Sequence, residues 1–172
     1  PNILSLEKRY KEIGVPADLV EKLAVSPFAS LFEKAVGEWG MRPALVSVVL
    51  AQYPARLKKK GFPADTLDEG SMTSVLAALK ERRIYREGVL PLLEQALADR
   101  KKVEDLWPSP ADDAKVRANV RATAENMKGR RFRREAAREL LAMGRLMDEW
   151  RGRVDGAELA ARLKEALEGT AR

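Results

Sequence analysis

The stretch Phe28-Ala29-Ser30-Leu31-Phe32-Glu33-Lys34-Ala35-Val36-Gly37-Glu38-Trp39 sets Phe28, Leu31, Phe32, Ala35, Val36 and Trp39 at i, i+3, i+4, i+7, i+8 and i+11. That spacing lays six apolar side chains on one face of an α-helix. Gly40 ends the pattern, and Pro43 suits the first turn of a following helix that carries Leu45, Val46, Val49, Leu50, Tyr53 and Leu57. Pro54 falls inside this second pattern and predicts a kink or an early end. Further along, Gly61-Phe62-Pro63 breaks the chain. Ser71 is placed to cap a helix bearing Met72, Val75, Leu76 and Leu79, and Val89, Leu90, Leu93, Ala96 and Leu97 form one more apolar face. No run alternates with period two over a convincing length, and no fixed repeat is visible. The fold class predicted is all-α.

Trp107-Pro108-Ser109-Pro110 is the best internal boundary, because two prolines in four residues cannot continue a helix and stiffen a short linker. Three more helices are predicted beyond it, near 111–127, 131–151 and 156–167. The expected organisation is an N-terminal connector at 1–26, a helical-bundle subdomain at 27–106 and a smaller three-helix tail at 107–172.

Composition narrows the chemistry. In 172 residues there is no Cys and no His, while 45% of residues are hydrophobic. A packed core is therefore expected, without disulfides, thiolate nucleophiles, zinc ribbons, Ser-His-Asp triads or most transition-metal sites. No apolar run approaches the ~18 residues of a membrane span, and Pro1-Asn2-Ile3-Leu4 is not a basic region leading into an apolar one. The expectation is a cytoplasmic protein with no membrane partner. Neither a phosphate-binding Gly-rich loop with Lys-Ser/Thr nor a dinucleotide fingerprint occurs. Asp112-Asp113 reads as a helix start rather than a metal pair, Glu81 and Glu87 read as surface charges, and no set of residues stands out for catalysis or metal binding.

The net charge of +6 is concentrated. Between residues 115 and 138 lie Lys115, Arg117, Arg121, Lys128, Arg130, Arg131, Arg133, Arg134 and Arg138 against only Glu125 and Glu135, a local balance of +7. On an ideal helix Arg131, Arg134, Arg138 and Arg145 fall within an arc of roughly 60°. Leu140, Met143, Gly144, Met147 and Trp150 would take the opposite, core-facing side. Two readings stay open for the arc: a solvated face, or a grip on phosphate through the planar guanidinium fork. The cluster Arg56-Leu57-Lys58-Lys59-Lys60 sits at a predicted helix end, where cations favour the negative end of the dipole. Gly144, costly in mid-helix, predicts the close approach of another backbone. Arg151-Gly152-Arg153-Val154-Asp155-Gly156 reads as a turn in which Gly152 and Gly156 permit unusual backbone angles and Asp155 caps the last helix. Arg153 would project from it, towards a phosphate or simply into solvent.

These residues resemble a family. The stretch Arg138–Leu159 is similar to the tail of the tRNA-dependent amidotransferases, the GatB/YqeY-type domain. That tail runs Leu-x-x-Gly-x-x-Met, then a Lys/Arg-Gly-Lys/Arg-Ala-Asn/Asp turn, then a last helix. Here those features fall on Leu141, Gly144, Met147, Arg151, Gly152, Arg153 and Asp155, with Val154 in place of Ala. The upstream pieces Leu6-Glu7-Lys8-Arg9-Tyr10, Ile13-Gly14-Val15, Pro43-Ala44-Leu45-Val46, Leu57-Lys58-Lys59-Lys60-Gly61 and Arg83-Ile84-Tyr85-Arg86-Glu87 resemble the family's connector and helical subdomain, nearer the archaeal E-type subunit than the bacterial B-type one. The Gly-Lys pair common upstream in the family's tail has no counterpart; Arg133-Arg134-Glu135 stands there.

The resemblance implies a YqeY-like tail and a role. The parent is an ATP-dependent carbon–nitrogen ligase of protein biosynthesis that converts Glu-tRNA(Gln) to Gln-tRNA(Gln). Its ammonia comes from an amidase or asparaginase-like partner. ATP and Mg would act in a cradle domain absent from this chain, leaving no cofactor here. The chain would be the non-catalytic, tRNA-binding C-terminal region, with tRNA(Gln) and the rest of the complex as partners. Taken together with the arginine arc, this makes Lys128, Arg130, Arg131, Arg134, Arg138, Arg145, Arg151 and Arg153 the expected tRNA-binding residues, with Gly144, Met147, Gly152 and Asp155 as structural motif. The alternatives are a protein–protein interaction module, a stand-alone YqeY-like protein docking on a translation-related partner, and an enzyme in its own right.

Overall fold

The computed structural model describes residues 2–170, and they contain helices and connecting turns with no strand. The chain is all-α. In order, α1 is Ile3–Glu12, α2 Ala17–Ala24, α3 Ala29–Gly37, α4 Pro43–Ser47, α5 Tyr53–Lys59, α6 Glu69–Lys80, α7 Arg86–Asp99, α8 Asp113–Asn126, α9 Glu135–Trp150 and α10 Gly156–Thr170. A π-helical turn occupies Val48–Gln52, and 3-10 turns occupy Ala64–Thr66 and Val103–Leu106. Two compact units divide the chain. The first takes the residues up to Arg82 and Val89–Trp107; the second takes Arg83–Gly88 and the residues from Pro108 on.

In the first unit, the residues expected as a connector fold into α1 and α2, which pack together and bury Tyr10, Leu19, Val20 and Leu23. The Tyr10 ring meets Phe32 edge-on, centroids 4.9 Å apart, which joins α1 to α3. Phe28, Leu31, Phe32 and Ala35 are buried on the predicted face. Trp39 is half-buried under the ammonium groups of Lys34 and Lys80, at 5.7 and 5.9 Å from its ring. Of the kink or early end expected, the early end does not occur at Pro54. The turn before it widens to a π-helix, with the Tyr53 N–H bonded to the Val48 carbonyl, and the helical path continues through α5. The cap of α6 is Asp68 rather than Ser71: Asp68 Oδ1 accepts the Ser71 N–H at 2.7 Å.

The second unit is built from α8, α9 and α10. Val116, Val120 and Ala124 of α8, Ala142, Leu146 and Trp150 of α9, and Leu159, Leu163 and Leu167 of α10 each recur every fourth residue and close one core, joined by Met127, Met147 and Val154. Asp112 caps α8 through the Ala114 and Lys115 N–H groups at 2.9 and 3.4 Å. Asp155 caps α10 through Ala157 and Glu158 at 2.9 and 3.4 Å. The core face of α9 is rotated from the one predicted. Met147 and Trp150 are buried and Met143 is half-buried, but Leu140 is 76% exposed, and a Cβ added at Gly144 would meet nothing within 4 Å outside its own helical turn. Gly144 therefore marks no close approach.

Candidate nucleic-acid interface

The predicted helix at 131–151 begins only at Glu135. The turn after α8 closes through Met127, Lys128 and Gly129, whose φ of +76° lies in the left-handed region open to glycine. Four arginines follow within five residues with no carboxylate among them. A helical turn there would stack like charges at i,i+3 and i,i+4 and set them against the positive end of the dipole. Helix starts instead at the first acid, Glu135, with Arg134 as an extended N-cap at φ −142° and ψ 145°. Half-buried Phe132 packs against the core and anchors the middle of this segment.

The arc of arginines consequently does not exist as one helix face. Arg131 and Arg134 lie in the connecting segment, while Arg138 and Arg145 are on α9. Arg138 turns towards the core edge: its side chain is 14% exposed, it pairs with Glu135 at 3.3 Å, and its Nε is buried without a partner. Arg145 remains exposed. Lys128 is exposed and lies 3.7 Å from Glu125. What the fold does bring together is Arg130, Arg131, Arg133 and Arg134, all exposed, with no side-chain hydrogen bond or ion pair among the described residues. Arg133 belongs to this set although the helical arc passed it over. The absence of acids from residues 130–134 was the signal that could have found it.

The other end of α9 behaves differently. Arg151 is exposed at the C-cap. Arg153 does not project from the turn. It lies over the Trp150 ring at 4.8 Å, donates from Nε to the Ser109 carbonyl at 3.1 Å and pairs through Nη1 with Glu149 at 3.0 Å. It clips the Pro108–Pro110 stretch to the turn. Gly152, at φ +74°, is pressed against Gly88, and a Cβ on Gly88 would stand 2.6 Å from the Gly152 Cα. The Tyr85 N–H donates to the Gly152 carbonyl at 3.0 Å. Gly156 has no left-handed backbone angle; its missing Cβ leaves room for the Glu87 carboxylate beside the start of α10. The predicted close approach of backbones thus occurs at Gly152 with Gly88, away from Gly144.

On the α8–α10 side Arg117 and Arg162 are matched. Arg162 bonds to Asp113 at 2.7 Å and Glu158 at 2.6 Å, and Arg117 reaches Asp113 at 3.1 Å. The hydrogen bond from Arg162 holds the Asp113 carboxyl below the usual carboxylate range, and both carboxylates raise the Arg162 guanidinium in turn. Among the described residues no group of acids could hold a metal ion, and no helix is long and apolar enough to cross a membrane.

No family model matches the chain. No solved structure matches it either. Curated proteins do. The E subunit of glutamyl-tRNA(Gln) amidotransferase from Archaeoglobus fulgidus is 30% identical over 172 residues, covering 97% of this chain and 27% of its own length. The corresponding E subunit from Methanosarcina barkeri is 26% identical over 173 residues, covering 94% of this chain and 27% of its own. That of Pyrobaculum islandicum is 30% identical over 168 residues, with 94% and 26% covered. The chain spans about a quarter of the length of these relatives. Across nearly the whole of its own length, this chain is related to the E-type subunit of glutamyl-tRNA(Gln) amidotransferase.

Proposed function

We propose that this chain is the tRNA-engaging, non-catalytic region of an E-type Glu-tRNA(Gln) amidotransferase subunit, corresponding to that subunit's C-terminal part. The second unit grips RNA phosphates through Arg130, Arg131, Arg133 and Arg134, with Lys128, Arg145 and Arg151 flanking them. ATP use, Mg binding and amide transfer fall to the remainder of the complex, including its amidase or asparaginase-like partner. The likeness to the E-type subunit supports the parent complex. One observation carries the RNA reading: four exposed guanidiniums on five consecutive residues, with no acid between them and no partner among the described residues. Groups held apart by repulsion and left unpaired fit a polyanion whose phosphates neutralise them together. Phe132, the aromatic residue of the segment, is committed to the core, so the contact is to phosphate and RNA shape.

The test replaces all four arginines by glutamine and follows binding of bulk tRNA by fluorescence anisotropy across a salt series. Each phosphate contact contributes roughly 0.7–0.9 to the log–log salt slope, so the variant is expected to lose about three units of slope and most of its affinity. Native affinity and native slope would refute the reading.

A further inference from the structure

α9 has two apolar sides. Ala142, Leu146 and Trp150 face the core of the second unit. On the outer side Ala137, Leu140, Leu141 and Gly144 recur at i, i+3, i+4 and i+7, and all four are exposed, Leu140 by 76%. A surface helix ordinarily turns one apolar stripe inward and a polar face to water, so a helix apolar on two sides calls for a neighbour on each. Beside the outer side a groove of about 270 Å³ opens between α9 and α10, lined by Ala136, Leu140, Met143, Ala160 and Leu163, with Glu139 and Lys164 at its rim. A Cβ added at Gly144 would meet nothing within 4 Å outside its own helical turn, so the middle of this surface is open to close approach.

We propose that this surface receives an amphipathic helix of a partner protein whose apolar stripe is flanked by acidic residues, a contact that does not depend on the phosphate grip above. Spacing selects a helix. The lining on α9 runs from Ala136 through Leu140 to Met143, at i, i+4 and i+7, about 10 Å at 1.5 Å per residue, and continues over one turn of α10. Two turns of a docked helix match that length, with their i, i+3, i+4 and i+7 side chains entering the groove and Leu140 entering the space between them. None of the lining side chains is aromatic, the kind on which an unpaired base stacks, whereas aliphatic groups pack against one another. Charge selects the flanks. Between residues 130 and 145 six arginines stand against two glutamates, a balance of +4, and Lys164 lies on the α10 side of the groove. Arg145 and Lys164 are exposed and have no ion pair among the described residues. A second copy of this chain would set that charge against itself, and so would a helix with Lys or Arg beside its stripe. Glu or Asp in those places meets the cations instead.

The probes are two synthetic helical peptides with the same leucine stripe at i, i+3, i+4 and i+7, one carrying Glu and the other Lys on both flanks. Titrated into the 15N-labelled chain, the Glu peptide is expected to bind about tenfold or more tightly than the Lys peptide and to shift resonances of α9 and α10. Leu140 and Gly144 are exposed, so their replacement leaves the core intact. Leu140→Ser is expected to weaken binding of the Glu peptide by about tenfold, the low end of what burying one leucine contributes, with tRNA affinity unchanged. Gly144→Leu, which fills the open space and favours the helix, is expected to block the peptide while the melting temperature holds or rises. Arg145→Glu together with Lys164→Glu is expected to turn the preference towards the Lys peptide. No binding, equal binding of the two peptides, or shifts confined to other helices overturns the proposal. A loss of tRNA affinity in Leu140→Ser also overturns it and gives the surface to RNA. So does a dimer in sedimentation equilibrium that Leu140→Ser abolishes, which gives the surface to a second copy of the chain.

Discussion

The segment before α9 and the turn after it are both rich in arginine, and Arg153 in the turn is put to the opposite use from the four arginines of the segment. After the helix, Arg153 has an acid one turn back, an indole ring beneath it and a carbonyl from Ser109 within reach. Its charge is satisfied inside the unit. Before the helix, Arg130, Arg131, Arg133 and Arg134 have no acid within their own stretch and find no partner among the described residues. Local availability of partners, rather than helical phase, decides which cations remain for a ligand. A charge with an internal partner has little left to gain from a phosphate, whereas an unpaired one gains the full charge-assisted bond.

Substitutions at the two ends should separate cleanly. The largest effect on stability is expected at Gly152→Ala. A side chain there meets the Gly88 backbone and must also adopt a left-handed φ of +74°. Strain and overpacking together are expected to cost about 3 kcal/mol, read as a lower denaturation midpoint, with RNA affinity preserved in the folded fraction. If the midpoint is unchanged, the tight joint between Gly152 and Gly88 does not form in solution.

Arg153→Ala comes next. Losing the contact over Trp150 and the bond to Ser109 is expected to cost about 1 kcal/mol of stability while changing tRNA affinity by less than about twofold. An affinity loss as large as that of the segment variant would erase the contrast between the two ends. On the other side of it, changing all four segment arginines to glutamine is expected to shift stability by no more than about 0.5 kcal/mol, because exposed unpaired side chains contribute little to folding.

The smallest effect is pH-linked. Because Arg162 depresses the Asp113 carboxyl in the folded state, the stability from this pair is fully present above the ordinary carboxylate value of about 4. It is lost as pH falls through the lowered folded value. Thermal melts between neutral and acid pH should show this loss in the native chain and a shallower one in Asp113→Asn. Equal slopes would show that the exposed pair is screened to insignificance.

Much of the architecture was legible in the residues. Apolar spacing located α3, and α8 and α10 fall on the helices expected near 111–127 and 156–167, beyond the proline boundary. Asp112 and Asp155 announced the starts of their helices, because a short acceptor before an apolar run satisfies the free N–H groups at a helix N-terminus. The candidate site was legible in kind but not in shape. An ideal helical wheel carried Arg131 and Arg134 onto α9, since periodicity has no term for repulsion among neighbouring guanidiniums. The same wheel turned Leu140 and Gly144 inward. Which arc of α9 is covered depends on where α8 and α10 lie, and those positions are not encoded in α9 itself. Pro54 is the matching case in the first unit, where a π-turn precedes the proline and the helix continues past the early end that the local rule allows.

By itself, the sequence determined the all-helical class, the concentration of positive charge between residues 115 and 138, and the likeness to the E-type amidotransferase subunits, because these depend on residue identity and spacing along the chain. The tertiary structure alone decided which arginines are free, where Leu140 points, and that Gly152 rather than Gly144 admits another backbone. Those depend on what lies opposite each side chain, and the groups opposite come from segments far away in the chain.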